Sequence, residues 1–299
     1  MIRPRSVVTI GVFDGVHTGH RAVIKEAVRQ AAAKGLKSIV VTFDPHPLKV
    51  LNGKKMAPSL ISLKHRIELI KGLGIDRVVV VKFDRRIASM PAEKFIKELI
   101  IKRLNAGTIV VGEDFCFGKD ASSDVRRLRR IAKKYFIDVK AIRHLKKSGR
   151  IISSTIIRKL VVEGNIRKAS ELLGRPFSIL GTVVAGARLA SSLGYPTANI
   201  NPHHEAIPPS GVYAVRVKFK SRTYKGVMNI GIRPTFYDYG RDKEPSIEAH
   251  IFNFHERVYG HDLEIFFVCR LRAEKKFKTT ESLVRQIKKD ESMARGVLS

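Results

Sequence analysis

The sequence is poor in cysteine and has no tryptophan. Cys116 and Cys269 are the only cysteines in 299 residues, and they lie far apart without the spacing of a metal site. Disulfide-dependent secreted domains carry many more cysteines, so this pair favours a reducing compartment. Both thiols are predicted to be ordinary core residues. The sequence therefore indicates a protein without structural disulfides.

Long hydrophobic runs are also missing. The longest apolar runs, such as 78–81 and 108–111, have strand length and fall far short of the ~20 residues of a membrane helix. The apolar stretch 7–10, which follows Arg3 and Arg5, is too short for a signal-peptide core. We expect a cytoplasmic protein that does not enter a membrane.

Acidic residues are few. Asp and Glu total 27 against 57 Lys and Arg, so the formal net charge is +30. Such an excess attracts anionic partners, which include nucleotides, phosphorylated substrates and nucleic acids. The basic residues are spread over many predicted helices, and an aromatic content of 7% gives little support for base stacking. Nucleic acid is therefore not expected, although charge alone does not decide.

The hydrophobic pattern changes near residue 175. Before it, short β-branched runs alternate with segments of helical spacing, as in a parallel sheet wrapped by helices. The predicted strands are 7–10, 38–43, 77–83, 108–112 and 138–142. The predicted helices are 21–34, 63–71, 92–104, 124–135, 155–162 and 166–173.

After a break at 174–176 the pattern alternates by twos, which favours a small antiparallel barrel or sandwich. Its predicted strands are 177–184, 212–219, 224–230, 246–254 and 263–271. A final amphipathic helix is predicted over about 280–290. The sequence thus predicts two unlike domains, 1–175 and 176–299, each with its own site.

The end of the first predicted strand carries the strongest local signal. Residues 11–20, GVFDGVHTGH, lead from the strand into a helix through three glycines. Glycine permits a tight turn and the close approach of a ligand, and a helix start offers free N–H groups to a phosphate. His17 and His20 can face that point and hydrogen-bond a triphosphate as charge develops. Two surface histidines in a turn are the alternative.

Three more motifs follow in order: TFDPHP at 42–47, VGEDFCFG at 111–118 and ISSTIIR at 152–158. Together the four motifs resemble those of the bacterial bifunctional riboflavin kinase/FMN adenylyltransferases, also called FAD synthetases, and the resemblance covers almost the whole chain. It implies an α/β protein, with a Rossmann-like nucleotidyltransferase domain followed by an antiparallel β-barrel riboflavin kinase domain and a terminal helix.

The resemblance also implies site residues for adenylyl transfer. FMN phosphate would attack the α-phosphorus of ATP and expel pyrophosphate, which requires alignment and charge neutralisation but no covalent nucleophile. His17 and His20 would be catalytic. The implied nucleotide-binding residues are Gly11, Phe13, Asp14, Gly15, Ser154, Thr155 and Arg158. The implied flavin-binding residues are Asp44, His46, Asp114 and Phe117. Two alternatives to these roles stay open. Residue 153 or 154 would be an ordinary N-cap, and Asp114 would only shape a loop turn.

A second motif lies in the barrel half. LGYPTAN at 193–199 resembles the riboflavin kinase motif in which a threonine hydroxyl and an asparagine oxygen help to ligate Mg²⁺ on ATP. The resemblance therefore implies Thr197 and Asn199 as metal ligands, and hard oxygen donors suit Mg²⁺. GVYA at 211–214, VMNIG at 227–231 and RPT at 233–235 follow in the family's order. An isolated turn is the alternative.

Glu248 is the candidate base of the kinase half. It lies among apolar residues of a predicted strand, so it is either outward and solvated or inward and functional. Its match to the family's catalytic glutamate implies that it accepts the proton of the ribityl 5′-hydroxyl.

The sequence departs from the family in two loops. Ser122 and Ser123 precede Asp124 where the family has glycine, which predicts a small change in loop shape. In the kinase loop, Gly186 and Arg188 are predicted to bind nucleotide. Residues 190–191, Ala-Ser, stand where glycine and a basic residue are expected. Arg188 is predicted to supply the missing charge.

The sequence thus predicts an enzyme that converts riboflavin and ATP to FMN and ADP, then FMN and ATP to FAD and pyrophosphate, with Mg²⁺ in both steps. Two alternatives stay open. One is an adenylyltransferase whose barrel only binds flavin, and the other is an RNA-binding or regulatory protein on the same scaffold. The oligomeric state is not predicted.

Overall fold

The computed structural model describes residues 5–51, 58–147, 149–186, 194–203, 205–232 and 245–299. The chain divides into two compact units, 1–59 with 63–154 and 60–62 with 155–299. The predicted boundary at 175 falls beyond this division, because the helices after residue 154 belong to the second unit. The assignment of one activity to each side of residue 175 stays a prediction.

The first unit is built on a sheet of five parallel strands: β1 (Ser6–Ile10), β2 (Lys37–Asp44), β3 (Arg77–Lys82), β4 (Ala106–Gly112) and β5 (Asp138–Ile142). Their order across the sheet is β3-β2-β1-β4-β5. All five predicted strands are confirmed. Strand β1 is buried along its whole length, as expected for a central strand of a parallel sheet.

Within the described residues, six α-helices accompany this sheet: α1 (Thr18–Lys34), α2 (Pro47–Leu51), α3 (Leu63–Lys71), α4 (Arg85–Ala88), α5 (Ala92–Phe95) and α6 (Val125–Lys133). The helix predicted over 92–104 is α-helical only at its start and continues as a π-helical segment, Ile96–Arg103. Asp124 caps α6, since its carboxylate accepts the Arg127 N–H at 2.9 Å. A hairpin of β6 (Lys146–Lys147) and β7 (Arg150–Ile151) follows β5.

The strand order reverses between β1 and β4. The chain leaves β1 toward β2 on one side, and returns later to β4 on the other side. In open parallel sheets, ligands bind outside the carboxyl ends of the strands at such a switch point. The loops after β1, β2, β4 and β5 are therefore the expected place for a site.

The second unit contains α7 (Ser154–Val162), whose first residue still belongs to the first unit, and α8 (Ile166–Leu173). They precede a closed barrel of β8 (Ser178–Val184), β9 (Ala198–Asn201), β10 (Gly211–Phe219), β11 (Arg222–Ile232), β12 (Pro245–Ile251) and β13 (Asp262–Arg272). Neighbours in the order β10-β11-β12-β9-β8-β13 pair antiparallel. The predicted barrel is confirmed. Strand β9 was not predicted, because it has only four residues and two of them are asparagines.

The terminal helix, α9 (Thr280–Leu298), is longer than predicted. It packs through Ala294 and Leu298 on a cluster that includes Ala214 and Phe252. Asp290, 3% exposed, accepts three hydrogen bonds of 2.7 to 3.0 Å from the guanidinium of Arg272 on β13. A charge-assisted bidentate pair of this kind fixes the helix on the barrel.

A short segment from the first half of the sequence belongs to the barrel unit. Leu60 and Ile61 are both 1% exposed. The buried carboxylate of Glu205 accepts the Ser62 N–H at 2.8 Å and the Leu180 N–H at 3.1 Å. Glu205 therefore attaches this segment to β8.

The prediction that both cysteines are core residues is wrong for Cys116, which is exposed in the loop after β4. Cys269 is partly buried beneath α9. Among the described residues, each helix is too short or too polar to cross a membrane.

Candidate functional site

The turn between β1 and α1 is strained at two buried positions. Phe13 and Val16 have φ angles of 54° and 42°, although they are bulky residues that are only 3% and 1% exposed. Bulky and β-branched residues rarely adopt positive φ, and such strain concentrates at functional sites. Gly15 between them, with φ 84°, adopts a conformation that glycine tolerates. The glycine-rich turn is thus held in one shape.

Phe13 and Gly11 form a unit that supports His20. A Cβ on Gly11 would lie 2.9 Å from Cζ of the Phe13 ring, so the ring needs a glycine beneath it. The ring meets the His20 imidazole edge-on at 5.4 Å between centroids. The structure gives both residues a packing role, and direct nucleotide contact stays a prediction.

The two histidines of the turn lie together. His17 caps α1, since its Nδ1 accepts the His20 N–H at 3.4 Å. The two imidazoles stack with centroids 3.6 Å apart and 19° between planes. The reading of His17 as a surface histidine is wrong, because it is 5% exposed. Both rings are therefore fixed at the start of a helix.

Both histidines are neutral. Burial, with a smaller effect of nearby His144, lowers the pKa of His17 to about 4. Burial, then His17, then Arg66 hold the pKa of His20 well below its usual value. Neutral imidazoles can donate one N–H each to a phosphate without adding charge.

Arg66 of α3 is a site residue that the sequence analysis missed. It is 2% exposed, and its Nη1 donates to the Phe43 carbonyl oxygen at 3.0 Å and to the Thr42 hydroxyl at 3.2 Å. Burial lowers its pKa, while Asp14 and Asp44 raise it. The signal that could have identified it is an arginine at an apolar position of helix 63–71.

Two buried nitrogens in this region lack a hydrogen-bond partner within the described parts of the chain. They are Nδ1 of His20 and Nε of Arg66. Buried polar groups are nearly always satisfied, so each exception requires an explanation. Binding of an anionic ligand at the ends of β1 and β2 would explain both.

Asp114 folds back over the end of β4. Its Oδ1 would lie 2.8 Å from a Cβ on Gly112, and its Oδ2 is 3.7 Å from Nε2 of His144. The neighbouring Glu113 accepts the His144 N–H at 2.8 Å. His144, which the sequence analysis did not select, thus links the loops after β4 and β5 to the histidine pair.

The remaining predicted residues of the first site differ in exposure. Phe117 is 7% exposed in the core, stacked on Phe115 with centroids 5.3 Å apart. Asp44 is exposed, and His46 accepts the Leu48 N–H at 3.2 Å. Their flavin contacts stay predictions.

Ser154 begins α7, and its hydroxyl donates to the Asp14 carbonyl oxygen at 2.8 Å. This bond connects the ISST motif to the buried aspartate of the glycine-rich turn. Thr155, which is exposed, and Arg158, which is half-buried, belong to the second unit. Their role in phosphate binding stays a prediction.

The lowered pKa of His17 predicts a specific loss of stability in acid. An unfolded histidine has a pKa near 6.5, so below that pH the unfolded chain binds more protons than the folded chain. The free energy of unfolding therefore falls as pH falls from about 6.5 toward 4, by on the order of 2 kcal/mol at pH 5. We expect His17→Asn, which keeps a capping oxygen, to lose less thermal stability between pH 7 and pH 5 than the wild type.

Thermal unfolding followed by circular dichroism measures this difference. His255→Asn, at an exposed position of the barrel unit, is the matched control and should behave as the wild type. An equal fall in Tm for wild type and His17→Asn would show that the pKa of His17 is the same in the folded and unfolded chain.

In the barrel, three polar residues lie in one row across three strands. Glu248 of β12 pairs with Asn199 of β9 on one side and with Asn229 of β11 on the other. Side chains directly opposite in antiparallel strands have Cβ atoms about 4.5–5.5 Å apart on the same face. The register thus brings a carboxylate between two amides.

Glu248 lies on the face opposite the barrel interior. Its neighbours Ile247 and Ala249 are 2% and 1% exposed, whereas Glu248 is half-buried. The prediction that a functional Glu248 points inward is wrong. The Ser246 hydroxyl donates to its Oε1 at 3.3 Å, so it is neither a core residue nor a fully solvated one.

The PTAN segment is attached to the same face. His250 Nδ1 lies 2.8 Å from the Pro196 carbonyl oxygen, and its ring meets Tyr195 edge-on. A Cβ on Gly186 would overlap the Asn199 amide, so a larger residue there would displace that amide. Arg188, with Ala190 and Ser191, lies outside the described residues, as does the RPT motif.

The donor set fits Mg²⁺ that is shared with a nucleotide. Thr197 and Asn199 offer neutral oxygens, and Gly186 leaves the Asn199 amide room. Within the described residues, no cluster of three acidic, histidine or cysteine side chains could hold a metal alone. Mg²⁺ binds in this way when substrate phosphates complete its coordination.

Two family models match the chain, one for each motif set. The model described as FAD synthetase matches residues 1–156, and the model described as riboflavin kinase matches residues 173–298. Their limits agree with two distinct sites.

Curated relatives match over almost the full length. Proteins named bifunctional riboflavin kinase/FMN adenylyltransferase are 39% identical in Bacillus subtilis, 37% in Buchnera aphidicola of Schizaphis graminum and 34% in Escherichia coli. Each alignment covers 97% of this chain and 92%, 93% and 91% of the respective relative.

A similar fold occurs in a crystal structure described as a macrolide-efflux protein from Streptococcus pneumoniae. It has a TM-score of 0.83 and 30% identity, and the match covers 99% of this chain and 95% of that chain. The complete two-unit fold is thus shared with a solved structure.

Proposed function

Since the chain belongs to the family of bifunctional riboflavin kinase/FMN adenylyltransferases, we propose that its two sites divide the family's two reactions between them. The chain phosphorylates riboflavin to FMN with ATP, and it adenylylates FMN to FAD with release of pyrophosphate. The turn after β1 serves adenylyl transfer. The Asn199, Glu248 and Asn229 row serves the kinase.

The stacked, neutral histidine pair is the observation that carries the first assignment. Both rings lie at the start of α1, where free N–H groups and the helix dipole favour phosphate. Their N–H groups would donate to ATP phosphate oxygens as charge builds up. Arg66 adds a fixed positive charge beside His20. The chain thus aligns FMN phosphate with the α-phosphorus and stabilises the departing pyrophosphate.

The kinase assignment rests on the position of Glu248. A carboxylate held between two asparagines can accept the proton of the ribityl 5′-hydroxyl as that oxygen attacks the γ-phosphorus of ATP. Mg²⁺, when bound by Thr197, Asn199 and the nucleotide, neutralises phosphate charge. Asn229 can orient the carboxylate or the hydroxyl. Glu274, which the sequence analysis missed, lies beside Asn229 above Gly231.

Product analysis tests the whole proposal. The purified chain, incubated with riboflavin, ATP and Mg²⁺, should yield FMN and then FAD on chromatography. FAD made only from supplied FMN would limit the barrel to flavin binding. Formation of neither FMN nor FAD would contradict both assignments. ATP as substrate and two free cysteines support our placement of the enzyme in the cytoplasm.

Loss of the proposed magnesium ligand should change the metal dependence of one reaction. We expect Asn199→Ala to raise the Mg²⁺ concentration for half-maximal kinase activity about tenfold or more, because an interaction with a charged group is worth roughly 1.5–3 kcal/mol. FAD formation from FMN should keep its Mg²⁺ dependence. Magnesium titrations of both reactions measure this.

Asn201→Ala is the control on the same strand, since Asn201 accepts the His203 N–H at 3.2 Å in a turn. Asn199→Ala with an unchanged Mg²⁺ requirement would remove Asn199 from the metal site.

A further inference from the structure

Phe136 occupies a position that is unfavourable in two ways. It lies just after α6 with φ 56°, the left-handed conformation in which helices usually place glycine. The Ile137 N–H bonds to the Ala132 carbonyl oxygen at 3.1 Å, which completes the helix end around it. Its side chain is 84% exposed. An aromatic ring this exposed buries little surface in the fold, so it is a candidate for contact with a ligand.

Phe136 stands between two clefts of the first unit. The larger, of about 1060 Å³, lies at the amino ends of β1 to β4, and the smaller, of about 410 Å³, lies beside α6 and β5. Phe136 lines both of them. The ring therefore forms a ridge with concave surface on each side.

Both clefts are lined by more basic than acidic residues. Five basic residues and one acid, Asp76, line the larger cleft, while Arg129 and Lys133 face Asp138 in the smaller. Ion pairs neutralise part of this charge: Asp76 pairs with Lys37 at 3.1 Å, Glu98 with Lys102 at 3.0 Å and Asp138 with Lys34 at 2.9 Å. After these pairs are counted, the residues that line the two clefts still carry a net positive charge.

These clefts lie away from the adenylyltransferase loops. The loops follow the carboxyl ends of the strands, and the larger cleft lies at the amino ends. Strands of five to eight residues separate the two ends, which corresponds to about 17–26 Å at the usual rise per residue. A ligand in the clefts would leave the nucleotide site accessible.

We propose that this surface binds single-stranded nucleic acid, with a base stacked on Phe136 and the flanking phosphates in the two basic clefts. Aromatic stacking combined with a basic groove is how proteins bind single strands without sequence preference. The sequence analysis did not expect nucleic acid, because the aromatic content is low. Composition, however, cannot show that one aromatic ring is exposed among basic residues. A duplex, whose bases are already stacked, offers this ring no free face.

The test uses the full chain and a 20-nucleotide fluorescein-labelled oligouridylate, with binding followed by anisotropy at 0.1 M salt. We expect Phe136→Gly to weaken binding about tenfold or more, which is the value of one base stack. The same substitution should keep or raise Tm, because glycine suits the left-handed position. Phe136→Tyr should retain binding. FAD formation should be unchanged in both variants.

The charges are tested separately. Replacement of Arg103 and Arg129 by alanine should flatten the dependence of log affinity on log salt by about 0.7 for each phosphate that the protein no longer neutralises. Lys288→Ala with Lys289→Ala on α9 is the control pair, at exposed positions of the barrel unit that line neither cleft. Tyr259→Ala, at a tyrosine 56% exposed in the barrel unit, is the control aromatic.

Several outcomes would overturn the proposal. They are equal affinities of wild type and Phe136→Gly, an equal loss of affinity in Tyr259→Ala, and a duplex that binds as tightly as the single strand. Displacement of the oligonucleotide by phosphatidylserine vesicles in a manner that depends on Phe136 would identify a membrane surface instead. A fall in Tm of Phe136→Gly would give Phe136 a structural role.

Discussion

Replacing both His17 and His20 by alanine is expected to abolish FAD formation from supplied FMN, with a rate loss on the order of 10²-fold or more. The two rings are stacked and neutral at the start of α1, and His17 is buried, so their N–H groups are positioned for phosphate oxygens that gain charge during transfer. FMN formation from riboflavin should be largely intact. Separate assays with FMN and with riboflavin measure the two rates.

The alanine variant also removes the cap of α1, so a second variant is needed to separate chemistry from folding. His17→Asn with His20→Asn keeps a capping oxygen at residue 17 but removes the imidazoles. It should fold as the wild type does and still lose FAD formation. Equal loss of both activities in a folded variant would contradict two independent sites.

The second large effect is expected at Glu248. Glu248→Gln keeps the shape and the row with Asn199 and Asn229, but an amide cannot accept the hydroxyl proton. Riboflavin phosphorylation should fall by roughly 10²–10⁴-fold, while supplied FMN is still adenylylated. Initial rates of FMN formation at saturating riboflavin and ATP give the comparison.

Ser246→Ala is the informative companion, because it removes the hydroxyl that donates to Glu248 at 3.3 Å and leaves the carboxylate. It should reduce the kinase rate far less than Glu248→Gln. Glu256→Gln, at an exposed glutamate that bonds Lys220 and Tyr224, controls for the charge change. Full kinase activity in Glu248→Gln would return Glu248 to a solvated strand face.

The local features of the chain could be predicted from its sequence. The five parallel strands, the barrel and the terminal helix follow from the spacing of apolar residues, which reflects the geometry of each element. The glycine-rich turn and the adjacent His17 and His20 were also recognisable, because three glycines between a strand and a helix are a local requirement of the backbone.

The tertiary structure decided which side chains come together in each site. Arg66 reaches the end of β2 from a helix more than forty residues later than His20. Its apolar position in helix 63–71 marks it as unusual, but the sequence does not show which residues it contacts. Glu248 could not be placed on the correct face, because strand alternation identifies two faces without telling which of them the closed barrel covers. Register, which depends on the pairing of distant strands, set it between two asparagines.

Residues in similar sequence contexts also differ in burial, which the sequence did not show. Phe117 and Phe136 are both aromatic residues near basic or acidic neighbours, yet one is 7% and the other 84% exposed. Leu60 and Ile61 pack with a barrel that the chain forms more than a hundred residues later. Sequence alone determined which elements form and which motifs they carry. Packing between residues distant in sequence decided which side chains meet, because those contacts depend on the topology of the whole fold and not on local spacing.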